Sequence, residues 1–217
     1  ELELPLAPAY NWIHCFVASK DWDRAMNCAD ELANENGILL KIASVYESPT
    51  AKSYFQRVAP YVDNEDHLVG LMVAPHSMEG FLTWLNRNSD LSLVYRSDNH
   101  NWERSPGLVF EYGWNHTTLR ALKVDPNITY LQVRYGFPDH KRLVNEMRKA
   151  FPGELIQHLE AIRMDDGKVG FAGLTLVKFT TEKRLDEIVE AHEAAGALIF
   201  NPHRYTLEEG GRQHADL

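Results

Sequence analysis

The chain has 217 residues, 44% of them hydrophobic and 24% charged, proportions typical of a globular protein with a sizeable core. Its 22 lysines and arginines against 31 aspartates and glutamates give a net charge of −9. This balance argues against binding to a nucleic-acid backbone, which depends on clustered cations. No apolar run approaches the roughly 20 residues that a membrane-spanning helix needs.

The first half of the sequence predicts the element order β-α-β-β-α-β. Aromatic and β-branched residues over 10–18 indicate a strand, after which Ser19 is expected to cap a helix and Gly37 to end it with a positive φ. Further strand patterns lie at 38–45, 67–74 and 91–96, with a long irregular stretch over 46–65 and a helix from about residue 77.

The second half repeats this order. A strand over 128–135 is followed by a helix that opens at Pro138 and Asp139, and two strands over 154–164 and 168–180 are joined by Asp165-Asp166-Gly167, a strong hairpin signal. A helix from 181 to 195 and a short strand over 197–200 complete the pattern.

The repeated pattern predicts an α+β fold of two ferredoxin-like split βαβ modules, with helices on one face of an antiparallel sheet. We expect a first module over 1–96, a connector with a short helix over 97–126, and a second module over 127–217. The two modules could lie side by side in one continuous sheet.

The sequence lacks the motifs of several common chemistries. It has no Gly-x-Ser-x-Gly elbow, phosphate-binding loop or His-Glu-x-x-His pair, and no metal site is predicted. Cys15 and Cys28 lie in apolar surroundings and are expected to be buried and reduced, which favours a reducing compartment. His192 falls on the apolar face of its helix and is expected to be a core residue. The chain begins at Glu1 rather than methionine, which suggests a processed or excised polypeptide.

Three segments are richer in polar and aromatic residues than packing alone requires. The first is the connector segment 111–118, which holds Tyr112, Trp114, Asn115 and His116. Large aromatic residues in a connector favour a lid, a cofactor-facing wall or a partner contact. Alternatively, Tyr112 and Trp114 fill the seam between the modules while His116 caps a helix.

The second segment is the strand over 154–164. Its alternation places His158 and Glu160 on one face, where they can form a base–orienter pair, two metal ligands or a structural hydrogen bond. Arg134 lies on a strand that could be a neighbour, together with Tyr130 and Gln132 on the same face. It can bind a substrate carboxylate or form a salt bridge with Glu160.

The third segment, 200–211, carries Asn201, His203, Arg204 and Tyr205 between a strand end and a glycine pair. This dense run of hydrogen-bonding groups favours a functional site over a solvated tail.

Two of these runs resemble a known family. The run 112–132, which begins Tyr-Gly-Trp-Asn-His, and the run 199–211, which contains Asn-Pro-His-Arg-Tyr, are similar to the C-terminal part of bacterial FAD-linked oxidases of the vanillyl-alcohol-oxidase type. In that family this part is a substrate-binding cap, built on ferredoxin-like sheet elements, that covers the isoalloxazine ring. The family's N-terminal FAD-binding domain and its closing segment are absent from this sequence.

The resemblance implies a substrate-binding cap of an FAD-dependent oxidoreductase, with FAD held only by an FAD-binding domain or subunit in the same or another chain. The residues it brings near flavin or substrate fall into three groups. The catalytic group is His203, Tyr205, His158 and Glu160; the substrate-binding group is Arg134, Tyr130, Gln132 and Arg204; the cofactor-binding group is Trp114, Asn115, His116 and Asn201. Two other functions stay open: a non-catalytic cap-like subunit of a larger complex, and a small-molecule binder that works without flavin.

Overall fold

The computed structural model describes residues 11–99 and 106–200. Its strands are β1 (Ile13–Ser19), β2 (Leu40–Tyr46), β3 (His67–Val73), β4 (Ser92–Arg96), β5 (Ile128–Tyr135), β6 (Leu155–Ile156), β7 (His158–Arg163), β8 (Val169–Lys178) and β9 (Leu198–Phe200). Its α-helices are α1 (Trp22–Asn34), α2 (Thr50–Tyr54), α3 (Met78–Asn86), α4 (Asn115–Leu122), α5 (His140–Ala150) and α6 (Glu182–Ala195). Within these ranges no helix combines the length and apolarity needed to cross a bilayer.

The local signals decide most element ends, with two corrections. Asp21, not Ser19, caps α1, because its carboxylate accepts from the Arg24 backbone N–H at 2.7 Å. The same helix ends at Asn34, and the backbone of Glu35 after it is extended. Gly37 does not have a positive φ, so that prediction is wrong.

Two predicted turns of the second module are confirmed. Gly196 closes α6 with a φ of 95°, as its position after the helix indicates. The predicted turn 165–167 joins β7 to β8, with Gly167 at a φ of 80° and a backbone hydrogen bond from Met164 N to Lys168 O.

The strands form one nine-stranded antiparallel sheet in the order β4-β1-β3-β2-β7-β8-β5-β9, with β6 paired beside β7 on β8. Each half has the strand order of a split βαβ module, so the predicted α+β fold is confirmed. The two halves join where β2 pairs with β7 through three residue pairs. The expected continuous sheet is therefore present, and the boundaries 1–96, 97–126 and 127–217 stay a proposal.

The two faces of the sheet are covered differently. Helices α1, α3, α5 and α6 pack on one face and share the largest apolar core with it. On the opposite face lie α2, the connector from residue 106 and α4, over a second core that contains Phe16, Tyr46, Phe55 and Tyr112. We call this second side the connector face. Because strand residues alternate between faces, the even-numbered residues of β7 point toward the connector.

Candidate functional site

The two modules meet at a buried polar cluster on the connector face. Ser44 of β2 lies directly opposite Glu160 of β7, and Tyr46 lies opposite His158. His158 is 1% exposed and Glu160 is 5% exposed. The predicted common orientation of His158 and Glu160 is confirmed, and their partner strand supplies a serine that the sequence analysis did not single out.

One carboxylate organises this cluster. Glu160 Oε1 lies 2.9 Å from His158 Nε2 and accepts a hydrogen bond from the Trp114 backbone N–H at 3.1 Å, while Oε2 accepts from the Ser44 hydroxyl. We call Ser44, His158, Glu160 and the Trp114 backbone the Glu160 cluster. It ties three separate segments of the chain together.

The aromatic packing beside the cluster excludes water. The imidazole of His158 stacks on the Tyr46 ring at a centroid distance of 4.8 Å, and the Tyr46 ring meets Phe55 edge-on at 5.1 Å. Burial raises the pKa of the Tyr46 phenol well above its ordinary value, with a smaller contribution from Glu160. His158 Nδ1 is buried with no hydrogen-bond partner among the described residues.

Glycine and a strained backbone let the connector reach Glu160. A Cβ on Gly113 would lie 3.0 Å from Glu160 Oε1, so a side chain there would push the connector outward. The next residue, Trp114, has a φ of 48°, a backbone state that costs a non-glycine residue of the order of 1–3 kcal/mol. Its indole is 58% exposed. The Glu160 hydrogen bond thus holds a strained segment that presents an aromatic ring outward.

The two aromatic residues Tyr112 and Trp114 of the connector differ in burial. Tyr112 is fully buried between Phe16 and Phe55, and the Arg120 guanidinium lies 4.4 Å over its ring. Tyr112 therefore packs on the core of the first module rather than in the join between the modules, and Trp114 is exposed. The predicted capping of the helix by His116 is wrong, because Trp114 holds the N-cap position. Asn115 and His116 are the first two residues of α4, and both are exposed.

Arg134 lies across the sheet from the cluster. The register aligns Glu160 with Ala172, and Ala172 with Arg134. Two strand spacings separate Glu160 from Arg134, about 9.6 Å between backbones. Arg134 is exposed, and no salt bridge joins it to Glu160 in the described part of the chain. The strand of Arg134 is therefore not a neighbour of β7, because β8 lies between them, and the binding of a substrate carboxylate by Arg134 stays a prediction.

The other predicted site residues are placed as follows. Tyr130 and Gln132 share the face of Arg134 and are partly buried. Phe200, the last described residue, pairs with Gln132 at the edge of the sheet. Asn201, His203, Arg204 and Tyr205 lie outside the described residues, so their roles stay predictions.

Several titratable groups are core residues rather than site residues. His192 is fully buried between the Tyr135 hydroxyl and the Ile188 carbonyl, which confirms its predicted core position. Cys15 and Cys28 are free and buried, and burial raises the pKa of both thiols to about 12. Within residues 11–99 and 106–200 no three histidine, cysteine or acidic side chains are grouped to hold a metal ion.

Comparison with known proteins adds a fold relationship. No protein-family model and no curated protein matches the chain. Among solved structures, an alkyldihydroxyacetonephosphate synthase has a similar fold, with a TM-score of 0.53, 8% sequence identity, and coverage of 86% of this chain and 39% of the synthase chain. The chain thus spans about two fifths of the synthase's length, and at this identity the similarity concerns the fold alone.

Proposed function

We propose that this chain is the substrate-binding cap portion of an FAD-dependent oxidoreductase whose FAD-binding domain lies elsewhere in the same polypeptide or in a partner subunit. The observation that carries the proposal is the connector face, where the row Glu160–Ala172–Arg134 has the strained, exposed Trp114 hydrogen-bonded to one end and the exposed guanidinium of Arg134 at the other. The similarity to the synthase, an enzyme of the FAD-linked oxidase family, and the resemblance of the runs 112–132 and 199–211 to that family point the same way.

The described residues fit one side of a flavin ring but not its dinucleotide. The exposed indole of Trp114 and the polar side chains of Asn115 and His116 at the start of α4 suit an aromatic heterocycle that lies against them. The described residues contain no glycine-rich turn before a helix that could hold a pyrophosphate. A flavin bound by the partner domain would accept a hydride from a hydroxylated substrate.

Within this proposed function, the predicted site residues would have different roles. Arg134 would bind an anionic group of the substrate, because an exposed guanidinium offers several N–H donors in a fixed geometry. Glu160 would act as a positioning residue, since it accepts a hydrogen bond from the Trp114 backbone N–H, and His158 would support it through its own contact with the Glu160 carboxylate. Tyr130 and Gln132 would line the same face, and His203, Arg204, Tyr205 and Asn201 keep the roles that the family resemblance implies.

The test begins with a spectrum of the natively purified polypeptide, where flavin absorbs between the near-ultraviolet and the blue. Substrate-dependent bleaching of that band with hydroxylated acids should follow, and Arg134→Ala should raise KM by about tenfold or more through loss of one charge-assisted contact. Lys149→Ala, which removes an exposed cation from α5, is the matched control. A folded preparation that carries its partner domain but neither binds flavin nor reduces it contradicts the proposal.

A second candidate is a non-catalytic subunit of a larger assembly. It is favoured by exposed apolar side chains on and after α4, where Leu119 is 56% exposed and Val124 is 57% exposed. Purification of a stable complex that lacks any flavin would support this function over the first.

A further inference from the structure

The sheet splits open beside the join between the two modules. β2 and β7 pair only from Ser44 to Tyr46, against Glu160 to His158. Upstream in β2, Leu40 pairs with Val73 and Ile42 with Met72 on the β3 side, so Lys41 is the extra residue of a β-bulge. A bulge bends its strand and increases its twist. The start of β2 therefore diverges from the end of β7, whose residues from Ala161 onward have no strand partner on that side.

The divergence leaves a cleft of about 490 Å³ between the strands. The cleft reaches inward to Ala43 and Ala161, which are the sequence neighbours of Ser44 and Glu160. Its roof is formed by the end of α1 and the segment 35–39. The volume falls in the range of small-molecule sites.

The lining is mixed, with aliphatic side chains beside polar and charged groups. Ile38, Leu40, Ile42, Ile162 and Val169 contribute apolar walls. The charged side chains are Lys41, Arg163 and Glu35, a local balance of +2 − 1 = +1 in a chain whose net charge is −9.

Arg163 closes the outer end of the cleft. Its Nη2 donates to Ala33 O at 2.7 Å, in the last turn of α1, and its Nη1 donates to Gly167 O at 2.6 Å. These bonds use two of the five guanidinium N–H groups and no carboxylate. Because this side chain joins one wall to the other, the space suits a small molecule better than an extended chain.

We propose that this cleft binds a small carboxylic acid with an apolar body, whose carboxylate contacts Lys41 and Arg163 while its hydrocarbon lies against the aliphatic walls. Among the described residues Lys41 has no ion pair, and the two hydrogen bonds of Arg163 go to backbone carbonyls. None of the cleft's lining residues belongs to the Glu160 cluster or is Arg134, and the proposal does not depend on the proposed oxidoreductase function.

The test is a titration of the full polypeptide with octanoate and, as a neutral molecule of matched shape, octanamide, followed by ligand-observed NMR. Octanoate should bind with a millimolar or lower Kd and at least about tenfold more tightly than octanamide, the difference expected for one charge-assisted hydrogen bond. Lys41→Met should weaken octanoate binding by about tenfold, and Ala161→Leu should block it by filling the cleft. Lys149→Met, on the exposed face of α5, should change nothing.

Equal binding of octanoate and octanamide, or wild-type binding by Lys41→Met, overturns the proposal, as does the absence of octanoate binding at millimolar concentration. Circular dichroism identifies a misfolded Ala161→Leu variant, in which case the octanamide comparison and Lys41→Met decide the outcome.

Discussion

Replacing Glu160 with alanine removes the one acceptor shared by three parts of the chain. The Ser44 hydroxyl and the His158 imidazole lose a buried hydrogen bond to it, and the Trp114 backbone N–H loses a partly buried one. Hydrogen bonds to a charged group contribute about 1.5–3 kcal/mol each. Part of their sum is offset because the buried carboxylate no longer has to be desolvated, so we expect a net loss of about 3–5 kcal/mol in the free energy of unfolding.

Urea unfolding followed by circular dichroism measures this loss. For a chain of this size, 3–5 kcal/mol corresponds to a lowering of the midpoint by about 1–2 M urea. Hydrogen exchange should rise first in the connector segment 109–122, because Trp114 N–H loses its acceptor there. Glu190→Ala, on the exposed side of α6, is the control and should change stability by less than about 0.5 kcal/mol.

Glu160→Gln separates the loss of charge from the loss of the acceptor. The amide oxygen can still accept from Trp114 or Ser44, so this variant should lie between the wild type and Glu160→Ala. A Glu160→Ala variant that unfolds within about 1 kcal/mol of the control, with unchanged hydrogen exchange in the connector, would contradict this expectation. That result would mean that the cost of burying the carboxylate cancels all three hydrogen bonds.

Two further predictions concern the same connector. Burial lowers the pKa of His14 to about 4, and its neutral Nδ1 accepts the Val109 N–H at 3.0 Å. Because the unfolded state binds the proton more tightly, the free energy of unfolding should rise from about pH 4 to pH 6.5 and level off above. The variant His14→Gln should remove about 1–2 kcal/mol of that rise after allowance for solvent screening. An unchanged pH profile of the urea midpoint in this variant would contradict the prediction. Gly113→Ala should cost about 1–3 kcal/mol, since its Cβ would meet Glu160 at 3.0 Å, whereas Gly136→Ala, where a Cβ meets nothing within 4 Å, should be nearly neutral. Thermal unfolding of the pair decides this, and equal losses would show that the close approach at Gly113 is not limiting.

The site was only partly predictable from the pattern of residues. The alternation of 154–164 placed His158 and Glu160 on one face, because side chains of a strand alternate with a period of two. The same rule says nothing about which strand lies alongside, and so Ser44 and Tyr46 were missed. A polar serine inside the apolar run of β2 was the available signal. Likewise, Arg134 was placed on the correct face, but its distance from Glu160 follows from β8 lying between the two strands.

The sequence by itself determined the order of the strands and long helices along the chain and the apolar side of each helix. It could do so because hydrophobic periodicity and turn residues act over a few neighbouring positions. Tertiary structure alone decided that β2 pairs with β7, that Trp114 takes a positive φ over Glu160, and that the Lys41 bulge opens a cleft. The first two features depend on contacts between residues that are far apart in the sequence. Ser44 of β2 and Glu160 of β7 are 116 positions apart, and Trp114 and Glu160 are 46 positions apart. Local pattern carries no information on such contacts, since any edge strand with unpaired backbone groups can accept a neighbour.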